Sequence, residues 1–335
     1  MSAEPHTVSP RTTHGQEGKL ELPSGPPTVS VIIPAYNSGH YLDEAVHSVI
    51  GQSFTDWECM GVDDGSTEDL FRVEKLDPRV RLIRQENAGT CAARNRGIAA
   101  SSADLIAFLD HDDVWLPNKL ERQVSAMFSR PDVGLCYTSF EFIDGAGRCT
   151  GPGCTVAVTC YAEALENPGS PTPSSAVVRR KFLSESGLFD PFLMGVGDYD
   201  FFVRLLRFCA PWYIESNETR CRLHRGNTSG NYSLMHSDMR GVLMKHATFA
   251  RWRGDVATVA AVERTLRRVS ETYGAQAYDS ARKSLRGGDA VAFVRHMGYA
   301  LACSPHYTIA ALSRFPVALV HRLAFGYSRA GSVKR

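Results

Sequence analysis

VSVIIPAYNSGHYLDEAVHSVIGQSF, residues 29–54, decides the architecture. Its first five residues form a β-branched run interrupted only by Ser30, the pattern of a strand covered on both faces. From Ser38 to Gln52 the period changes. Tyr41, Leu42, Ala45, Val46, Val49 and Ile50 fall on one side of a helix, with Asn37 or Ser38 as the expected N-cap. A buried strand that turns through a short polar loop into an amphipathic helix is the opening unit of a parallel sheet.

The alternation continues downstream. WECMGV (57–62), RVRLI (79–83) and LIAFL (105–109) read as three further strands, and GTCAARNRGIAA (89–100) as a closely packed helix. Pro117 opens another helix, whose inner face would be Leu120, Val124, Met127 and Phe128. Strands separated by helices predict an α/β fold, a Rossmann-like, mostly parallel central sheet flanked by helices. From Leu234 onward the pattern is helical without strands. The expected organisation is a tail over 1–27, an α/β domain over 28–232 and a helical appendage over 233–335. That appendage could pack on the main domain, form a homodimer, or lay an apolar face on a membrane surface.

Composition narrows the function classes. The chain of 335 residues is 43% hydrophobic and 22% charged with a formal net charge of +1, so no global field favours nucleic acid. Nine cysteines are scattered and never form a C-x-x-C pair, and Cys149, Cys154 and Cys160 are too loosely spaced for a zinc site. Reduced thiols in a cytoplasmic protein are the expectation. The Ser-, Thr-, Pro- and Gly-rich N-terminus has no apolar block, so it reads as disordered rather than as a signal peptide.

In open α/β sheets, ligands bind outside the carboxyl ends of the strands. Pro34, Ala35, Tyr36 and Asn37 follow the first strand; Asp63, Asp64, Gly65 and Ser66 follow the second; Asp110, His111, Asp112 and Asp113 follow the fourth. Each alone is an ordinary turn-forming or acidic loop, but together they mark one edge. No G-x-x-x-x-G-K-[ST] and no G-x-G-x-x-G follows the first strand. Three carboxylates in four positions repel one another unless a cation sits among them. Hard oxygen ligands favour Mg²⁺ or Mn²⁺, and such an ion would let a diphosphate enter an acidic site. A second acidic pair, Asp198 and Asp200, begins the helix read from GDYDFFVRLL, where helix capping is an adequate explanation.

VSVIIPAYNSGHYLDEAVHSVIGQSF, VDDGSTED, NAGTCAARNRGIAAS, LDHDDVWLPNKL, GDYDFFVRLL and RLHRGNTS, in this order, resemble family 2 glycosyltransferases of the GT-A fold over roughly Thr28 to Tyr232. The resemblance implies that Pro34, Ala35 and Tyr36 receive a nucleotide base, usually uracil, with Tyr36 stacked on it, Asp64 accepting from its ring N–H and Asp63 alongside. Asn87, Gly89 and Arg94 would close over the nucleotide, though Arg94 could equally be a structural ion-pair partner. Asp110 and Asp112 would lie near the ribose and metal, with His111 in the variable place between them and Asp113 as a further ligand or an orienting group. His224 would approach the metal or the diphosphate, and Arg222 and Arg225 would add positive charge.

Asp198 matches the general base of such enzymes, with Gly197 where an acid often precedes it. The implied activity is an inverting, Mn²⁺- or Mg²⁺-dependent transfer from a UDP- or TDP-sugar to a hydroxyl of a glycan, lipid-linked or small-molecule acceptor, in polysaccharide, glycolipid or glycoconjugate biosynthesis. Acceptor contacts would fall within Gly145–Ser175. Two rivals remain at this point. A sugar nucleotidyltransferase usually carries a Gly-rich basic loop after its first strand, where this chain has PAYNSGHY; a non-catalytic nucleotide-binding module would share the pocket without the base.

Overall fold

Every residue of the first strand, β1 (Val29–Ala35), is buried, and alternate side chains serve two separate cores. Val29, Val31, Ile33 and Ala35 pack with Leu42, Ala45, Val46 and Val49 of α1 (Tyr41–Ile50). Ile32 belongs to the core on the opposite face. The continuous β-branched run is thus the signature of a strand with no solvent face. The structure, a computed structural model, describes residues 25–224, 226–227 and 230–312. Most of the N-terminal tail, Arg225, and the chain after Leu312 lie outside the described residues.

After α1 come β2 (Trp57–Asp63), β3 (Val80–Arg84), α2 (Thr90–Ala100), β4 (Leu105–Phe108), β5 (Val114–Trp115) and α3 (Lys119–Ser129). Then follow β6 (Val133–Ile143), β7 (Cys149–Pro152), α4 (Tyr161–Glu166), β8 (Ala176–Arg179), α5 (Leu183–Ser186), α6 (Gly197–Leu205) and β9 (Ala210–Arg222). The sheet order is β3-β2-β1-β4-β8-β6-β9-β5, with β7 paired to β6. Strands β3, β2, β1 and β4 are parallel. Beyond β4 the sheet becomes mixed: β8 is antiparallel to both β4 and β6, β9 is parallel to β6, and β5 is antiparallel to β9. The parallel half was readable from its apolar runs. The mixed half was not, because β9 is largely polar and only partly buried.

Two local expectations need correction. Phe128 is 64% exposed: the stripe that α3 buries is Leu120, Gln123, Val124 and Met127, and Phe128 stands about 100° beyond Met127 around the helix. Neither Asn37 nor Ser38 caps α1, which starts later, after His40. Asn37 instead adopts a positive φ of 46° and accepts from Thr67 N–H at 2.9 Å, joining the turns after β1 and β2.

Among the described residues four helices follow: α7 (Tyr232–Trp252), α8 (Val256–Arg286), α9 (Ala290–Cys303) and α10 (Pro305–Leu312). Asn231, Asp255 and Asp289 each accept from the backbone N–H three residues on, capping α7, α8 and α9. Met239, Val242, Leu243 and Ala247 of α7 and Val262 and Val269 of α8 enter the same core as Ile32, Phe108 and Phe201. These helices therefore complete the hydrophobic layer over one sheet face. Among the described residues no helix is long and apolar enough to cross a membrane.

The second core holds one cation. Lys119 is fully buried, donating to Gln123 Oε1 at 2.6 Å with its ammonium 4.1 Å from the Trp115 ring centre. Burial pulls its pKa down to about 7, against weaker upward pulls from Cys136 and Glu218. Below pH 7 the folded and unfolded chains are both protonated and the desolvation cost is fully present. Between about 7 and the usual 10.5 only the unfolded chain binds the proton, so this residue's contribution to stability rises with pH. Replacing it by methionine should remove that slope. In denaturant unfolding from pH 6 to 8.5, the stability advantage of Lys119→Met over the parent should shrink as pH rises; a constant difference would contradict a depressed Lys119.

Candidate active site

Since β1, β2 and β4 run parallel, their carboxyl ends share one edge. There Tyr36 leaves β1 with its side chain 48% exposed. Asp63 at the end of β2 is fully buried: one oxygen accepts from Ser66 N–H at 2.8 Å, while the other lies 3.3 Å from the Arg84 guanidinium and lacks a well-formed hydrogen bond. Asp64 is also buried and holds the segment before α2, accepting from Gln85 Nε2 at 2.8 Å, Ala88 N–H at 2.9 Å and Gly89 N–H at 2.8 Å. Gly89 opens α2 at φ 90°, and a Cβ there would lie 3.4 Å from Met194 Sδ.

The acidic loop after β4 meets a different partner at each carboxylate. Asp110 pairs with buried Arg94 at 2.6 Å. His111 turns its Nδ1 toward the Pro34 carbonyl at 3.2 Å. Asp112 receives His224 Nε2 at 2.9 Å, with Asn227 Nδ2 at 3.4 Å from the same oxygen. Gly226 N–H donates to His224 Nδ1 at 3.1 Å, which leaves the imidazole proton on Nε2, facing Asp112. Asp113 is buried, with one oxygen accepting from Ser174 Oγ at 2.6 Å and the other from Arg222 N–H at 2.9 Å. Burial, then the Asp112 and Asp110 charges, push its carboxyl well above the usual range, opposed by those two donors. Of the three acids Asp113 has the geometry of an orienting group; Asp112 and Asp110 remain partly accessible.

Ser174 is the hub that sequence reasoning missed. Its hydroxyl donates to Asp113 and accepts from Asp110 N–H at 3.0 Å, and its carbonyl accepts from Trp115 Nε1 at 2.7 Å and Thr219 Oγ1 at 3.2 Å. Pro173, Ser174 and Ser175 are buried. The end of the segment expected to contact an acceptor therefore supports the acidic loop from beneath. Arg222 is likewise a clamp rather than a free cation. It is 2% exposed, bonds Asp112 O at 2.8 Å and Glu44 Oε2 at 2.6 Å, and lies over the Tyr41 ring at 4.5 Å.

Asp198 stands in the first turn of α6, partly buried, accepting from Tyr199 N–H at 2.8 Å. Burial raises its pKa; Arg94 pulls it back and Asp110 pushes it up, which places Asp198 within the field of the acidic loop. A carboxylate held above its ordinary value is a better proton acceptor near neutrality. Gly197 has a packing reason: a Cβ there would come within 2.2 Å of Cys91 Sγ on α2. An acid at that position would require the Cys91 side chain to move. Asp200 faces away, fully buried between Arg204 at 2.7 Å and Lys245 at 2.6 Å. A separate cavity of about 550 Å³ opens beyond the far end of α6, lined by Tyr161, Arg207, Phe249 and Arg253, and holds none of these acids.

Residues 30–185 match the family described as glycosyl transferase family 2. Over this segment, a little under half of its length, the chain is similar to glycosyl transferase family 2. The matched segment includes the β1, β2 and β4 edge with its three loops, while α6 and the helices after it fall outside. A UDP-Glc:alpha-D-GlcNAc-diphosphoundecaprenol beta-1,3-glucosyltransferase of Escherichia coli is 39% identical over 119 residues, 35% of this chain and 47% of that protein. The chain thus spans less than half of that relative's length. Staphylococcus aureus TarS 1-349 in complex with UDP-GlcNAc is similar in fold, with a TM-score of 0.54 at 16% identity over 82% of this chain and 91% of that one. A mannosyltransferase of Pyrobaculum calidifontis in complex with GDP-Man and Mn²⁺ gives a TM-score of 0.55 at 16% identity over 92% and 91%. The GT-A-type α/β fold is shared with these glycosyltransferases.

Ser174→Ala should leave the buried Asp113 carboxylate short of a donor, lowering unfolding free energy by about 1–3 kcal/mol at neutral pH. Denaturant titration checks this, and an unchanged midpoint would remove Ser174 from the hub.

Proposed function

We propose that this chain is a metal-dependent inverting glycosyltransferase that moves a sugar from a UDP- or TDP-sugar to an acceptor hydroxyl. The observation that carries the reading is the convergence of three parallel strand ends, an exposed tyrosine, and an acidic loop whose Asp112 faces His224 and whose Asp110 acts on a desolvated Asp198. The 39% identical E. coli relative, named for a UDP-Glc donor and a diphosphoundecaprenol-linked acceptor, supports a UDP-sugar and a lipid-linked glycan as first candidates.

Whether the residues fit a divalent ion can be judged from their donors. Among the described residues no three His, Cys, Asp or Glu side chains gather closely enough to hold a metal by themselves. Asp112 and His224 form half a site, which suits Mn²⁺ or Mg²⁺, ions commonly held by one or two protein groups plus substrate phosphates. When bound, the ion would offset the charge that develops on the departing diphosphate. Asp113 orients the loop from behind, and His224 would exchange its Nε2 proton for the metal. Asp110, fixed by Arg94, lies on the ribose side.

The base pocket would form between Tyr36, for stacking, and Asp64. The Asp64 oxygens already hold Ala88 and Gly89 but keep lone-pair capacity for a base N–H. Asp198 would take the proton from the acceptor hydroxyl as its oxygen attacks the anomeric carbon from the side opposite the leaving group, which inverts the centre. The nucleotidyltransferase and bare-binding alternatives make no use of a base at Asp198.

A panel of UDP- and TDP-hexoses, supplied with GlcNAc-diphosphoundecaprenol or simple glycosides and Mn²⁺, should give acceptor-dependent nucleoside diphosphate release. Asp198→Asn should lose at least about a hundredfold in kcat while binding UDP and Mn²⁺ as the parent does. In the parent, kcat should fall as pH drops through the raised Asp198 pKa. Full turnover by Asp198→Asn would refute the assignment.

A further inference from the structure

The loop that delivers Asp198 is held from two sides. From α2, Asn95 brackets Phe189, donating to its carbonyl at 2.8 Å and accepting from its N–H at 3.0 Å, and Cys91 Sγ lies 3.4 Å from Leu193 O. From α7, beyond the family segment, one carboxylate oxygen of Asp238 accepts from both Met194 N–H at 3.0 Å and Gly195 N–H at 2.8 Å. Gly195 allows this approach: a Cβ there would come within 3.1 Å of Met235 Sδ and 3.3 Å of Asp238 Oδ2. A second tether from the same helix is Lys245, which pairs with Asp200 two residues past the base.

We infer that Asp238 is a positioning residue for sugar transfer: by fixing the backbone at Met194 and Gly195 it sets where Asp198 stands and how Met194 lies against Gly89 at the nucleotide segment. Two N–H groups converging on one carboxylate oxygen make charge-assisted hydrogen bonds, stronger than neutral ones. The constrained peptide ends three residues before Asp198, so its backbone path fixes the direction from which the carboxylate enters. Met194 carries the same constraint across to α2, because its thioether reaches the Gly89 position that Asp64 holds. α7 would thereby couple the acceptor-side base to the nucleotide side, a task distinct from its burial of Met239, Val242 and Leu243 in the core.

The inference rests on Asp198 as the base, and the test keeps the two apart. Asp238→Ala should lower kcat by about 10- to 100-fold, the scale expected for a small displacement of a reacting group. KM for the donor and the affinity for UDP with Mn²⁺ should stay within about twofold of the parent, since no nucleotide contact is removed. Amide exchange across 190–197 should accelerate while 29–63 stays as protected as in the parent. Asp238→Asn, which keeps one acceptor oxygen, should recover much of the rate and also serves if the alanine variant folds poorly. Turnover is read as UDP release from the fastest donor of the panel. Unchanged kcat in Asp238→Ala, or a parallel loss of UDP affinity, would overturn the positioning role. Parental turnover in Asp198→Asn would instead overturn the base reading on which it depends.

Discussion

Mutual repulsion among Asp110, Asp112 and Asp113 is the constraint around which this edge of the protein is organised. Three carboxylates on one short loop can be held together only if each meets its own compensation. Arg94 compensates Asp110, His224 faces Asp112, and the Ser174 hydroxyl with the Arg222 N–H solvates Asp113. Those partners come from α2, from the turn after β9, from the buried Pro-Ser-Ser turn and from β9 itself. The loop therefore ties together parts of the chain more than a hundred residues apart, as Asp113 to Arg222 illustrates. The mixed half of the sheet brings β9 alongside β5, and without that pairing His224 would not reach Asp112.

The compensation is graded in a chemically useful way. Asp113 is buried and held by one donor on each oxygen, the arrangement of an orienting group. Asp112 is met by an imidazole N–H, a group that can give up its proton, and Asp110 by a fixed guanidinium. Asp198 lies within reach of that same guanidinium's field, so Asp110 and the carboxylate proposed as base feel one shared charge. Loss of Arg94 would disturb both at once.

Much of the parallel half was legible because burial on both faces leaves an unbroken apolar run, as in Val29 to Ile33. Helices with one clear stripe were legible for the same reason. Ser174 was not, since a serine in a Pro- and Ser-rich stretch carries no periodicity and its importance lies in contacts 61 residues away in sequence. Lys119 was hidden because a lysine beside an apolar stripe normally reads as solvated. Gly197 looked like a missing acid, and only the packing of Cys91 against it shows that a side chain there would require Cys91 to move. The polar strand β9 and the hold of α7 on the loop before Asp198 depend on tertiary neighbours, which local propensity does not encode.

If the acidic loop forms half of a cation site, a nucleotide's phosphates must supply the rest. Manganese titrated with and without UDP, followed by anomalous diffraction from crystals of the ternary complex, measures this most directly. The ion alone should bind weakly, and at least about tenfold tighter once UDP is present, with a manganese peak between Asp112, His224 and the diphosphate. Equal affinity in both titrations, or a nucleotide lodged away from the ends of β1, β2 and β4, would contradict it.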